Sequence, residues 1–469
     1  MYEVMDLVLS NKEKCKNVVD LLQGLVLTDE TIKQIQNVFI SEMNLALNDQ
    51  PSSLQMENTY IPELPDGKEQ GVFLALDLGG TNFRVILMVL QMGHIIEETV
   101  QHYHITDESR TGCGDALFDY LAQCVDDFAK QNGLSDDRTY CMGFTFSFPM
   151  HQHSLNSGSL VTWTKSFNCT SVVGMDVVEK LRKSLIKCNR HNIEILAILN
   201  DTTGTLVQGA RIDTKTRIGI VLGTGSNACY MELAKNVKHW ETRCHGDHVI
   251  IDVEWGAFGD NGVLDFIKTD FDRAVDEGSL LRNSFTFEKY ISGKYLGELC
   301  RVILEVLHKQ KLFFPAVPKE KFPKPWTFGS VNVSKIEQDT LNFKNDNLLE
   351  IFSKLNLKFH TDYNDDDIQI IRYVCGLISK RAAQLLAINT SILLNRMEEK
   401  EITVAIDGSV YKHHPRLRHW ISEYTKQMAP TKTSKFMLAE DGSGKGAALV
   451  AAIAMKISIR EHGQKQIIK

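Results

Sequence analysis

The sequence predicts an α/β protein of two lobes that face one another across a cleft. Three observations lead there. Apolar strands alternate with helical stretches along most of the chain. A unit of apolar strand, glycine turn and second strand occurs twice, around Asp77 and around Gly223. The length of 469 residues is enough for two sizeable cores, given a usual ~150 residues per domain.

Composition narrows the function classes. Hydrophobic residues make up 43% and charged residues 24%, the balance of a folded, soluble chain and not of a disordered one. Lys and Arg number 52 against 59 acidic residues, a formal charge of -7, so no net-basic field exists to attract nucleic acid. None of the ten cysteines falls in a Cys-x-x-Cys pair, which leaves a zinc ribbon or redox dithiol without support. The segment MYEVMDLVLSNKEKCK has early acidic residues and no long apolar core, so no secretory signal is expected. The charge-free run 139–164 is polar throughout and is not expected to span a bilayer. A cytoplasmic location follows as the expectation.

Elements then read in order. Val18, Leu21, Leu22 and Leu25 recur at helical spacing, and a second helix is expected over 29–47 with Thr28 as its N-cap. Residues 51–68 hold three prolines and read as an extended linker. GVFLALDLGGTNFRVILMVL is strand, Gly-Gly turn, strand, with more strand-like sequence at HIIEETVQHYHI. A helix over 116–130, a strand from 140 stopped by Pro149, a helix over 177–190 and a strand over 193–199 follow. TRIGIVLGTGSNACYMELA repeats the strand–turn–strand unit. Helices are expected over 262–312, 348–355 and 365–394, with a proline-punctuated loop at 315–325. EITVAIDGSV is the last clear strand, before a helix over 414–428; GSGKGAALVAAIAMKI reads as Gly-rich turn, then helix.

Six stretches carry chemistry. In LALDLGGTNFR, an apolar strand delivers Asp77 to its polar end; Gly79 and Gly80 permit close backbone approach, and Thr81 and Asn82 add donors. That turn suits phosphate, Arg84 adds a cation, and Asp77 suits magnesium, directly or through water; a plain hairpin explains the same residues. ILNDTTGT ends a strand on Asn200 and Asp201, either a cap for the next helix or carboxylate chemistry facing a crevice. FTFSFPM and LVTWTKSF offer Ser147, Thr164 and Lys165 to a hydroxylated ligand. IDVEWGAFGDNG sets Glu254 beside Trp255, and VAIDGSVYKHHP closes a strand on Asp-Gly-Ser. Gly442 to Gly446 lack the Lys-Ser/Thr ending of a P-loop and read as a helix N-terminus. Each stretch is also met in ordinary turns and caps; their joint occurrence is the informative part.

Together, DLGGTNFR, FSFP, TWTKSF, LNDTTGT, GTGSNACY, EWGAFGDNG, VAIDGSVYKHHP and CGLISKRAA, in that order, resemble the eukaryotic hexokinases, glucokinases included, over residues 66–455. The resemblance implies a two-lobed actin-like, sugar-kinase (ribonuclease H-like) fold with a five-stranded sheet in each lobe. It implies N-terminal helices and linker over 1–62 packed on the large domain, a small domain over 63–199 completed by the helix 440–458, and a large domain over 200–439. The implied reaction is ATP-dependent phosphorylation of glucose, and of mannose and fructose, at the 6-hydroxyl, the opening step of glycolysis, with ATP and Mg²⁺ as cofactors. Asp201 is the implied general base, with Lys165 and Arg84 to offset charge on the transferred group. Ser147, Phe148, Thr164, Lys165, Asn200, Asp201, Asn227, Glu254 and Glu288 line the implied hexose site. Asp77, Leu78, Gly79, Gly80, Thr81, Asn82, Thr224, Gly293, Lys294, Ser334, Ser409, Val410, Tyr411 and Lys412 are the implied ATP contacts, and Asp77 the implied Mg²⁺ contact.

The sequence departs from the family in two places. Asp252 stands where the family has Asn, and Leu281 to Phe285 replace an Asn-Pro-Gly-Gln-Gln loop. A hexose sensor that binds without turnover, and an actin-like ATPase, are the rival readings. One catalytic unit, a monomer and an N-terminus without an apolar mitochondrial leader are expected.

Overall fold

The structure is a computed structural model describing residues 4–79, 83–238 and 247–467. Its strands are β1 (Glu57–Asn58), β2 (Gly71–Leu78), β3 (Phe83–Gln91), β4 (His94–Tyr103), β5 (Tyr140–Phe146), β6 (Met150–Ser154) and β7 (Ser157–Leu160). They continue with β8 (Ile193–Leu199), β9 (Thr216–Leu222), β10 (Ser226–Leu233), β11 (His248–Asp252), β12 (Glu401–Asp407) and β13 (Thr433–Leu438).

One sheet has the order β4-β3-β2-β5-β8. Its first three strands are antiparallel neighbours, while β5 and β8 extend it in parallel. The other has the order β1-β11-β10-β9-β12-β13, again an antiparallel meander extended by two parallel strands. The two strand–turn–strand units of the sequence, β2-β3 and β9-β10, therefore hold equivalent places at the middle of each sheet. Residues 73–78 of β2 are all buried, as continuous apolar runs require when both sheet faces are covered. The helices Gly114–Gln131 and Val177–Lys187 contribute to the core on one face, and the C-terminal helix Gly442–Ile467 to the core on the other.

The second sheet has six strands, not the expected five. The extra strand is β1, from the linker, pairing Glu57 with Asp252 and Asn58 with Ile251. Pro51, Pro62 and Pro65 lie outside those residues, so the intervening backbone keeps its donors and covers an otherwise open edge. The hairpin β6-β7 and the helix Ser330–Asn342 also lay outside the sequence reading; the helix is rich in Ser, Asn, Thr and Val, which hides its period. Strand β13 was likewise unread, and the α-helices expected over 262–312 begin only at Asp270 and break over 278–285. The helix Asp29–Leu47 starts on Thr28, whose Oγ1 accepts from the Thr31 N–H, and it packs with the long helix Asp365–Arg396 against the six-stranded sheet.

The helices Asp201–Ile212 and Gly442–Ile467 cross in backbone contact. A Cβ placed on Gly446 would lie 2.2 Å from the Gly204 carbonyl oxygen, and one on Gly442 would lie 2.8 Å from the Thr205 Cα. The Gly-rich stretch, read both as a turn and as the N-terminus of the last helix, is helical from Gly442 onward. Glycine is required here for close approach, not for an unusual φ.

This crossing gives a test in which sterics oppose propensity. In an open helix Gly→Ala stabilises by about 0.8–1 kcal/mol. Gly446→Ala is expected instead to destabilise by about 1–3 kcal/mol, because backbone must move. Gly329→Ala, where nothing lies within 4 Å of the new Cβ, serves as control and is expected to stay within about 1 kcal/mol. Urea unfolding of the three proteins measures both.

Candidate active site

The C-terminal ends of the central strands meet at the glycine crossing. On one side, Asp77 near the end of β2 is buried; its Oδ2 accepts from Arg84 Nε at 2.8 Å and from Ser443 Oγ at 2.9 Å. Arg84 also donates to Asp441 and to Ser443 Oγ, both at 3.1 Å. Burial pushes the Asp77 carboxyl upward, and the Arg84 charge and hydrogen bond oppose it. The other carboxylate oxygen has no hydrogen bond among the described residues, which fits a hydrated divalent cation. No cluster of three or more His, Cys, Asp and Glu able to hold a metal occurs among the described residues, so a cation here would depend on ligand oxygens and water. Gly80, Thr81 and Asn82 lie outside the described residues.

The start of the helix Asp201–Ile212 settles an alternative that the sequence left open. Asn200 is the cap: its Oδ1 accepts from the Thr202 N–H at 3.0 Å, while its Nδ2 donates to Glu254 Oε1 at 3.2 Å. Asp201, in the first turn, is left to face Lys165, whose Nζ stands 3.6 Å from Asp201 Oδ2. Lys165 also donates to the Ser147 carbonyl at 2.7 Å and lies over the Phe148 ring. Lys165, Ser166 and Glu254 all hold left-handed backbone, at φ 54°, 68° and 51°, conformations that cost on the order of 1–3 kcal/mol each and cluster where function demands a set direction.

Behind Asp201 lies a wall of buried polar groups. Asn227 Nδ2 donates to Asp252 Oδ1 at 2.7 Å, and Thr202 Oγ1 reaches the same oxygen at 3.4 Å. Glu288 Oε2 accepts from the Ser226 N–H at 3.0 Å, beside the Gly223–Gly225 turn, where a side chain on Gly225 would displace it. The Glu254 carboxyl is pushed well upward by burial and then by the charges of Asp252 and Asp201. Burial raises Asp252 to about 7, with Asn227 opposing and Asp201 and Glu57 adding to the rise.

The nucleotide-side candidates surround the same turn. The Gly293 N–H donates to the Gly223 carbonyl at 2.8 Å and the Lys294 N–H to the Thr224 carbonyl at 3.1 Å. Gly408, at φ 115°, packs on Gly223, and Ser409 opens the short helix Ser409–His413. Lys412 pairs with Glu440 at 2.7 Å. Leu78, Phe148, Val410 and Tyr411 turn their side chains into cores, leaving backbone for any ligand contact. Thr164 is half-buried beside Lys165, and Ser334 is half-buried on the helix Ser330–Asn342, away from these hydrogen bonds.

Three further polar residues tie this site together. Ser443 and Asp441 bind groups more than 350 positions away in the chain, and Asp407 accepts from the Gly408 and Gly442 N–H groups at 2.7 and 3.2 Å. Asp407 and Ser443 lie in two stretches singled out in the sequence, the Asp-Gly-Ser strand end and the Gly442–Gly446 run; nothing local marked Asp441.

The site thus sets Asp201 against Lys165 and Asp77 against Arg84, before buried Asn227, Asp252 and Glu254. Family models described as hexokinase match residues 217–453 and 17–211. The chain belongs to the hexokinase family. It is 39% identical over 456 residues to mouse hexokinase-1, covering 95% of this chain and 46% of that protein. Against human hexokinase HKDC1 it is 39% identical, covering 94% of this chain and 48% of that protein. It thus spans about half the length of these curated hexokinases. A glucose-complexed hexokinase from Schistosoma mansoni superposes with a TM-score of 0.85 at 36% identity, covering 95% of this chain and all of that one. Two-lobed sugar-kinase architecture is thereby established.

The buried Asp252 makes stability depend on pH. Its folded pKa, about 7, lies above the ordinary 3.8. Between those values the folded state binds more protons than the unfolded state, so this group's stabilisation is fully present below pH 3.8 and is lost as pH rises through 7. Asp252→Asn is expected to flatten the fall in melting temperature between pH 5 and pH 8. An unchanged slope would refute the burial of charge at this position.

Proposed function

We infer that the protein transfers the γ-phosphoryl group of ATP to the 6-hydroxyl of a hexose, with glucose the first candidate and mannose and fructose next. The observation that carries this is the pairing of Asp201 with Lys165 at 3.6 Å, next to the Asn200–Glu254 hydrogen bond. Family membership and the likeness to a glucose-complexed hexokinase support it.

In this reading Glu254, Glu288, Asn200 and Asn227 hold the sugar. Their polar atoms are buried or half-buried, so an analogue missing a hydroxyl leaves them unpaired and is rejected. Asp201 accepts the proton of the 6-hydroxyl as its oxygen bonds to phosphorus; ADP leaves with the electrons of the broken bond. Lys165, held by the Ser147 carbonyl and the Phe148 face, offsets charge on the transferred group. Arg84 acts at one remove, since its guanidinium is committed to Asp77, Asp441 and Ser443. The Gly223–Gly225 turn and residues 408–412 take the nucleotide phosphates. Magnesium, when bound with ATP, supplies charge neutralisation on the β and γ oxygens, and Asp77 is the residue that would hold it.

Water is a competing acceptor. Closure of the lobes on bound sugar assembles the site only for the right hydroxyl. Saturating glucose is therefore expected to reduce the radius of gyration in small-angle scattering; an unchanged radius contradicts closure.

A coupled assay with glucose and Mg·ATP tests the reaction. Asp201→Ala is expected to lower kcat by about 10²–10⁴-fold while glucose affinity stays within about tenfold. Glucose binding without product in the unaltered protein would identify a sensor instead, and ATP hydrolysis indifferent to sugar would identify an ATPase.

A further inference from the structure

The short helix Thr286–Ile291 brings Glu288 to the sugar wall, yet it has no cap of its own. The residue at its N-cap position is Phe285, at φ 59° and with no side-chain acceptor for the exposed N–H groups. The first turn of any helix leaves donors without intrahelical partners. Here the acceptor arrives from another segment. Asp260 takes the Phe285 N–H on Oδ2 at 2.9 Å and the Thr286 N–H on Oδ1 at 2.8 Å. Both oxygens of one carboxylate are thus spent on the two residues immediately before Phe287 and Glu288. The segment leading into Asp260 also lies beneath this turn: a Cβ on Gly256 would touch the Phe285 ring at 3.4 Å and the Glu288 Cβ at 3.6 Å.

Asp260 is itself exposed, and its position is held from behind. Glu42, buried on the helix Asp29–Leu47, directs Oε2 at the Ser53 N–H (2.6 Å), Ser53 Oγ (2.8 Å), Ser52 Oγ (2.9 Å) and Asn261 Nδ2 (3.0 Å). Ser53 Oγ in turn accepts from the Gly259 N–H at 3.1 Å. The residues on either side of Asp260 are therefore both tied, directly or through Ser53, to one buried carboxylate on an N-terminal helix. The far side of the Phe285 loop is anchored independently: Asp276 accepts from the Asn283 N–H at 3.1 Å and pairs with Lys289. Removing the Asp260 contacts then shifts the first turn of the helix without releasing the whole loop.

We propose that Glu42 and Asp260 form a brace that sets the position of Glu288, making both of them positioning residues for sugar binding. The brace links the N-terminal helix, through residues 259–261, to one carboxylate of the sugar wall; Glu42 and Asp260 make no hydrogen bond to the Lys165–Asp201 pair, and the nucleotide turn is met only through Glu288 at the Ser226 N–H. It rests on the hexose-kinase reading, and its consequence is graded: sugar affinity depends on the brace more strongly than ATP affinity does.

The test is steady-state kinetics of the full chain with glucose and Mg·ATP, for Asp260→Ala, Asp260→Asn and Glu42→Gln, alone and with Glu288→Gln. Asp260→Ala is expected to raise the glucose KM about tenfold, with kcat reduced by less and the ATP KM within about twofold. Asp260→Asn keeps one acceptor oxygen and is expected to raise the glucose KM about threefold; Glu42→Gln is expected to act in the same direction. In the Glu288→Gln background the Asp260→Ala change is expected to add less than about twofold, since the brace acts through that carboxylate. If Asp260→Ala does not fold, Asp260→Asn and Glu42→Gln carry the test. Unchanged glucose KM in those variants, or an Asp260 effect equal in both backgrounds, overturns the brace while leaving the hexose-kinase reading intact. Failure of the unaltered chain to bind or phosphorylate glucose overturns both.

Discussion

The backbones of the helices Asp201–Ile212 and Gly442–Ile467 touch at Gly204, Gly442 and Gly446, and the charged groups of the cleft take their positions from that contact. The first helix begins with Asp201. The second delivers Ser443 to Asp77, and its Gly442 N–H to Asp407, while Asp441 just before it meets Arg84. One helix packs on the six-stranded sheet and the other on the five-stranded sheet, so the crossing is also where the two lobes are joined. A side chain at any of these glycines would separate the carboxylates that must converge. Closeness of backbone, not a hydrogen bond or ion pair, is the constraint on which the site depends.

That convergence places several acids in a poorly solvated space. Burial raises Asp77, Asp252, Glu254 and Asp407, and the charge of Asp201 adds to the rise in each. Lys165 and Arg84 offset part of this; sugar hydroxyls, which donate to carboxylates, and a cation carried by the nucleotide would offset more. Under the proposed transfer, a cleft so short of donors would gain from the arrival of its substrates, which would give closure a driving force and selectivity a basis in groups that cannot be left unpaired.

Much of this was legible in the sequence, and the unread parts share a cause. The strand carrying Asp77, the strand that stops just before Asn200, the Thr28 cap and the Gly223–Gly225 turn are local signals, written within a few residues and read correctly. The assignment of the cap to Asn200, with Asp201 left to face Lys165, needed the position of Glu254, more than fifty residues away. Asp441 and Glu42 lie in no marked stretch, and although Ser443 and Asp260 do, no periodicity or motif shows which distant residues they meet. Strand β1 escaped because prolines on both sides gave its segment the look of a linker, although residues 52–61 between them all retain backbone N–H donors. The glycines at 442 and 446 read as a helix N-terminus, but the second backbone they pack against cannot be seen in one segment alone.

The proposed transfer turns on where the Asp201 carboxylate stands when both substrates are present. A crystal structure with glucose and a non-hydrolysable ATP analogue measures this directly. The expected result is a closed cleft with an Asp201 carboxylate oxygen about 2.6–3.2 Å from the sugar 6-oxygen, and with that oxygen in line with the terminal phosphorus. A closed complex in which Asp201 is turned away from the 6-oxygen, or in which the phosphorus lies beyond reach of it, would contradict the account.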